Sequence, residues 1–178
     1  MMNGLEAVDG NLIVLQQAAD LLRRMDDATY ATVAGGAGQS PVGVHFRHIL
    51  DHYRSFLRGL PEGAIDYDAR ERHGPVETDR GLALASVLGL ITDIGGIPRE
   101  LAARPLSVSL RSVADRGDAP DWSQSSLNRE LQFLVSHTVH HFALIKYILT
   151  HAGIETEAGF GIAPSTLAAQ RHTTECAR

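Results

Sequence analysis

The chain contains one long stretch, residues 127–152, that neither glycine nor proline interrupts. Its apolar residues recur with the period of a helix, so we expect a single long helix here. This helix carries His137 and His141, and side chains four residues apart share one face, with Cβ atoms roughly 6 Å apart. Two such imidazoles can bind one metal ion, as in the H-E-x-x-H motif. No glutamate follows His137, so the pattern predicts a two-histidine metal platform and excludes the metalloprotease motif.

Length and charge narrow the classes of protein that need to be considered. A chain of 178 residues suits one domain, or one domain with a tail. The net charge is −5 and no run of lysine or arginine occurs, so we expect neither nucleic acid nor a membrane as the main partner. The single cysteine, Cys176, forms no internal disulfide, and the N-terminus does not resemble a signal peptide. These features predict a cytoplasmic protein.

Three further segments show the apolar period of a helix. The predicted helices cover residues 8–29, 40–60, 78–92 and 126–152. Residues 62–77 are polar and predict a long loop, whereas the alternation over residues 106–111 predicts a short extended arm. We therefore expect an all-α fold, a four-helix bundle over residues 1–155. Residues 156–178 form a C-terminal loop and tail, packed on or trailing from the bundle, with one helical turn at 165–172.

Six of the nine histidines lie on two of the predicted helices: His45, His48, His52, His137, His140 and His141. Chance would give roughly 0.45 histidine pairs four residues apart, whereas the chain contains two such pairs, His48/His52 and His137/His141. Of the histidines on the second predicted helix, His48 is the one most clearly expected to face the core, and His52 lies one turn further along. Spacing alone leaves unrelated histidines as the alternative to a three-histidine metal site.

Two segments resemble a known family. Residues 42–53, VGVHFRHILDHY, resemble the second-helix motif of the DinB-like superfamily, and residues 134–145, LVSHTVHHFALI, resemble its H-x-x-x-H helix. The resemblance covers residues 5–155 approximately and implies metal ligands at His48, His137 and His141. It also implies an up-down-down-up four-helix bundle, a homodimer and a divalent ion. Relatives of this kind include bacillithiol and glutathione S-transferases and a mycothiol-dependent maleylpyruvate isomerase.

Three neutral imidazoles would leave the ion with its full charge and an open coordination position. Such an ion lowers the pKa of a bound water towards about 7 or holds a thiol as thiolate. Ligation by histidine alone suits zinc or nickel, with iron as a further alternative. A low-molecular-weight thiol is a candidate co-substrate, and His52 or His45 is the candidate general base.

Other residues are candidates for positioning and substrate binding. Glu130 precedes His137 by seven residues and is expected to support a ligand from the same helix face. Arg70 and Arg72 are candidates for binding a carboxylate, and Tyr67 for lining the pocket mouth; ordinary salt bridges are the alternative. The expected function is a metal-dependent enzyme, thiol-dependent transferase or hydrolase-like, acting on a small molecule. The alternative is a non-catalytic, dimeric, stress-associated metal-binding bundle.

Overall fold

The computed structural model describes residues 6–31, 40–69, 74–113 and 120–176, with side chains described up to residue 173. The helices of these segments are α1 (Glu6–Arg24), α2 (Asp27–Ala31), α3 (Val42–Gly59), α4 (Arg80–Gly95), α5 (Leu127–His151) and α6 (Pro164–Cys176). The strands are β1 (Ala64–Asp66), β2 (Pro105–Ser109) and β3 (Trp122–Ser126), and single 3-10 turns lie at Pro75–Glu77 and Arg99–Leu101.

The four long helices pack around one apolar core. Helix α1 contacts α4 and α5, and α3 contacts the same two helices. The largest fully buried apolar side chains include Leu15, Leu22, Phe46, Phe56 and Phe142. Burying one such side chain stabilises the fold by about 1.5–3 kcal/mol. The core therefore sets the mutual orientation of α3 and α5, the two helices that carry the histidine pairs.

Side-chain caps explain where several helices begin. Asp79 accepts from the backbone N–H of Leu82 at 2.8 Å, and Ser126 accepts from that of Arg129 at 3.3 Å. Asp26 accepts from the N–H of Thr29 at 2.7 Å and so starts α2. The predicted first helix over residues 8–29 is consequently divided after Arg24. An N-cap contributes about 1 kcal/mol, so this contact stabilises the start of α2.

A three-stranded mixed sheet lies beside the helices, and it contradicts the all-α prediction. Strand β2 is central, parallel to β1 and antiparallel to β3. Buried Ile65 and Leu106 anchor β1 and β2 to the core. The up-down-down-up four-helix bundle was therefore the wrong fold class. The prediction failed because β1 lies in a polar segment and β3, Trp-Ser-Gln-Ser-Ser, has no apolar alternation; both are strands because they pair with β2.

The segment after α5 folds back onto that helix. Gly153 ends α5 with φ of +74°, and the buried Phe160 then stacks on Phe142 with ring centres 4.3 Å apart. Helix α6 follows with 13 residues, of which residues 164–173 are largely exposed, where the sequence predicted a single helical turn. Among the described helices, none is both long and apolar enough to cross a membrane.

Candidate metal centre

Helices α3 and α5 bring histidine side chains together across their interface. His48 lies at the centre, with its ring centre 4.5 Å from that of His52, 5.0 Å from that of His137 and 4.7 Å from that of His141. The two i,i+4 pairs that the sequence singled out therefore face each other. This convergence places each pair on the face of its helix that meets the other helix.

Three of these residues are placed to share one cation. One nitrogen from each of His48, His52 and His137 lies within 4.8 Å of the other two. The Nδ1 of His52 is 2.9 Å from the carbonyl oxygen of His48, so this nitrogen carries the proton and donates it. In this tautomer the Nε2 of His52 carries the lone pair, and it is the ligand atom that the ring can offer. We call these three residues the inner triad.

His141 and His45 form a second group next to the inner triad, which we call the outer pair. Their Nδ1 atoms are 3.1 Å apart, and the ring centre of His141 is also 4.7 Å from that of His137. Burial, and then the neighbouring His137 and His48, lower the pKa of His141 to about 2. Burial likewise lowers the pKa of His45. Both imidazoles are therefore neutral near pH 7.

The predicted ligand set and the inner triad differ by one residue. His48 and His137 belong to both, but the structure adds His52, which the sequence suggested as a general base. His141, the predicted third ligand, lies one turn further along α5 in the outer pair. His140, on the neighbouring face of the helix, is exposed, with its ring centre 5.2 Å from that of His141.

Tyr67 and Glu130 support one side of the histidine cluster. The Tyr67 ring stacks on His52 with ring centres 5.5 Å apart, and its hydroxyl donates to Glu130 Oε2 at 3.0 Å. Ser125 donates to Glu130 Oε1 at 2.5 Å. Burial, reinforced by the Glu130 carboxylate, raises the pKa of Tyr67, so its phenol stays protonated. Glu130 thus acts on the cluster through Tyr67.

A small cavity opens on the far side of this support. Its volume is about 140 Å³, and its lining residues are Tyr67, Val108, Leu110, Arg129, Glu130 and Phe133. Phe133 stacks on His137 with ring centres 5.5 Å apart, so Tyr67 and Phe133 separate the cavity from the histidines. Phe133 was not among the predicted site residues, although its position four residues before His137 on the same helix could have identified it. Arg70 and Arg72 lie outside the described residues.

A buried polar network holds α3 and α5 at the spacing the cluster requires. The hydroxyl of Tyr53 donates to Asn11 Oδ1 at 2.6 Å, and Asn11 Nδ2 donates to the carbonyl oxygen of Leu131 at 2.9 Å. Thr138, the residue after His137, donates to the Tyr53 hydroxyl at 3.4 Å. Because all of these groups are buried, sliding α5 along α3 would leave polar atoms without partners, which is costly.

The comparisons with known proteins do not support the predicted family. The chain is similar to FK506-binding protein 5 of Rhizopus delemar, with 35% identity over 104 residues, which are 58% of this chain and 26% of that protein. The chain thus spans about a quarter of the length of this relative. No protein-family model matches the chain, and no solved structure matches it.

The similarity to an FK506-binding protein, together with the mixed sheet, overturns the assignment to the DinB-like superfamily. The transferase activity that this assignment implied is withdrawn with it. The error has a physical origin. The assignment rested on two short patterns: a histidine followed by an aliphatic pair, and two histidines four residues apart. Any pair of packed amphipathic helices can present such patterns.

Proposed function

We propose that this protein binds one divalent cation through the inner triad. The proximity of the three ligand nitrogens, all within 4.8 Å of one another, carries the proposal. Two nitrogens bound to tetrahedral zinc at 2.0–2.1 Å are roughly 3.3 Å apart, so small side-chain rotations suffice to close the site. Zinc or nickel suits three imidazoles, and iron is the alternative.

The same site suits catalysis on a small molecule. A divalent ion held by three neutral imidazoles would supply the Lewis acidity that deprotonates a water molecule near neutral pH. His45 is half-buried, with its Nδ1 3.1 Å from that of His141, and would serve as the general base. His52 would hold the ion in this arrangement and would therefore have no base role. Tyr67 and Phe133 would separate the bound ion from the cavity.

Metal analysis of protein purified without an affinity tag tests the site. We expect one bound ion per chain, and a loss of about 10-fold or more in affinity when His48, His52 or His137 is replaced by Ala. His151→Ala is the matched control, because His151 is an exposed histidine at the end of the same helix. Unchanged metal content in His137→Ala would refute the site. Loss of metal in His141→Ala with retention in His52→Ala would favour the ligand set predicted from the sequence.

A non-catalytic metal-binding protein is the alternative within the same site. Apo and metal-loaded protein are compared for hydrolysis of a panel of esters and epoxides. Metal-dependent turnover supports the enzyme. Identical behaviour of the two forms supports a role in binding alone.

The name of the similar protein suggests a second candidate function, the binding of FK506. The match covers 26% of that protein, and this chain offers a cavity of about 140 Å³. Calorimetric titration with FK506, with and without a chelator, tests this function. Saturable binding that a chelator leaves unchanged would assign FK506 binding to a surface other than the histidine cluster.

A further inference from the structure

The histidines of α3 and α5 form a row that is graded from solvent to core. His140 is exposed, the outer pair is half-buried, and His52 at the far end is 3% exposed. Along this row each ring centre lies no more than 5.3 Å from the next, including His45 to His141 at 5.3 Å and His52 to His137 at 4.0 Å. A cation can therefore remain within reach of imidazole nitrogen at every depth.

The outer pair has the geometry of two ligands on one ion. Two nitrogens bound to a single ion at 2.0–2.1 Å lie roughly 2.9–3.4 Å apart for coordination angles between a right angle and a tetrahedral one. The observed Nδ1–Nδ1 distance of 3.1 Å falls within this interval. In the metal-free protein one Nδ1–H donates to the other Nδ1. When an ion binds, that proton moves to the Nε2 of the same ring, and both rings stay neutral.

Simultaneous occupation of the inner triad and the outer pair is unfavourable. All of the proposed ligands are neutral imidazoles, so they would not offset the repulsion between two divalent ions one ring apart. The one carboxylate on α3, that of Asp51, is engaged with Arg47 at 3.0 Å. The outer pair therefore suits transient occupation, before the ion moves to the triad.

We propose that His45 and His141, approached through exposed His140, form a transfer site by which a divalent cation passes from solvent to the inner triad. This inference rests on the proposed metal site. His141 is the step between the two groups, since its ring centre is 4.7 Å from those of both His48 and His137. The three triad ligands then hold the ion more tightly than the two ligands of the outer pair.

Stopped-flow uptake of Co²⁺ tests the transfer site, because the visible absorption of Co²⁺ reports its ligands. We expect His45→Ala to slow association by about 10-fold, a factor on the order of what removing one supporting group costs a metal site in affinity or activity. Dissociation should slow by the same factor, since a site on the path changes the barrier and leaves the end states alone. The dissociation constant and the absorption spectrum should therefore stay unchanged. His140→Ala should slow association to a smaller extent, and His151→Ala not at all.

The possible outcomes distinguish failure of the transfer site from failure of the proposed metal site. A wild-type protein that takes up no Co²⁺ overturns the proposed function, and the transfer site with it. A wild type that binds Co²⁺, together with a His45→Ala variant of unchanged association rate, overturns the transfer site alone. A weaker dissociation constant with a changed spectrum, or two Co²⁺ ions per wild-type chain and one in His45→Ala, also overturns it. If His45→Ala alters the circular dichroism, His45→Gln and the exposed His140 variant decide the question.

Discussion

At the scale of single residues, the candidate site depends on hydrogen bonds that orient its side chains. The His52 ring is fixed from two directions, by the backbone oxygen of His48 and by the stacked ring of Tyr67. Tyr67 is held in turn by the buried carboxylate of Glu130. A change at Tyr67 should therefore alter the stability of the protein and the orientation of the His52 ring, one of the three candidate metal ligands.

Replacing Tyr67 by Phe removes one donor from the buried Glu130 carboxylate and leaves the stacking ring in place. Hydrogen bonds to charged groups contribute about 1.5–3 kcal/mol, so we expect the free energy of unfolding to fall by about that amount. Urea denaturation measures the change. Tyr147→Phe is the control, because Tyr147 is 53% exposed, and it should have little effect. A Tyr67→Phe variant of wild-type stability would show that the Glu130 contact contributes nothing.

At the scale of elements, the close contact between the C-terminal segment and α5 depends on a glycine. Gly161 has φ of +71°, and a Cβ at this position would lie 2.8 Å from the backbone nitrogen of Ala143. Gly153 has a similar φ of +74° but no atom within 4 Å of the corresponding Cβ position. Comparing substitutions at the two glycines therefore distinguishes destabilisation by the left-handed backbone conformation from destabilisation by steric overlap.

We expect Gly161→Ala to be more destabilising than Gly153→Ala. Both variants carry the penalty of a non-glycine residue in the left-handed region, about 1–2 kcal/mol. Only in Gly161→Ala does the added Cβ also collide with α5 and displace the segment that packs Phe160 against Phe142. Thermal unfolding of the two variants measures the difference, and near-ultraviolet circular dichroism reports on the aromatic pair. Equal destabilisation by the two substitutions would show that the segment is not closely packed on α5.

At the scale of the whole molecule, the burial of neutral histidines links folding to pH. The pKa of His141 is about 2 in the folded chain, against 6.5 as its ordinary value. Between these values the unfolded chain binds a proton that the folded chain does not. Stability therefore rises with pH across this window and is lost as the pH falls below about 6.5.

We expect the metal-free protein to lose stability on acidification from pH 7.5 to pH 5. The contribution of one such proton is at most about 1.4 kcal/mol per pH unit. Urea denaturation at several pH values measures the slope, and His141→Gln should flatten it because the amide does not titrate. A slope that is the same in wild type and His141→Gln would show that His141 is not the group responsible. Bound metal should steepen the wild-type dependence, since ligands must be deprotonated.

The sequence predicted the helices far better than the sheet. The beginning of α4 at Asp79 and of α5 at Ser126, and the end of α5 at Gly153, follow from caps and breakers that act within a few residues. Strands β1 and β3 escaped prediction because their pairing partners are distant in the chain, as in the register of Ile65 with Val108. The family assignment failed for a related reason, since it rested on two short local motifs.

By itself, the sequence determined that α3 and α5 each present histidines one turn apart, because the helical period is a local property of the chain. Only the tertiary structure decided which of these rings meet. The crossing of the two helices placed His52 with His48 and His137, and left His141 facing His45. It also placed Tyr67, at the end of β1, against His52. Ring-to-ring distances depend on helix packing and on strand pairing between distant segments, and no local pattern of residues specifies either.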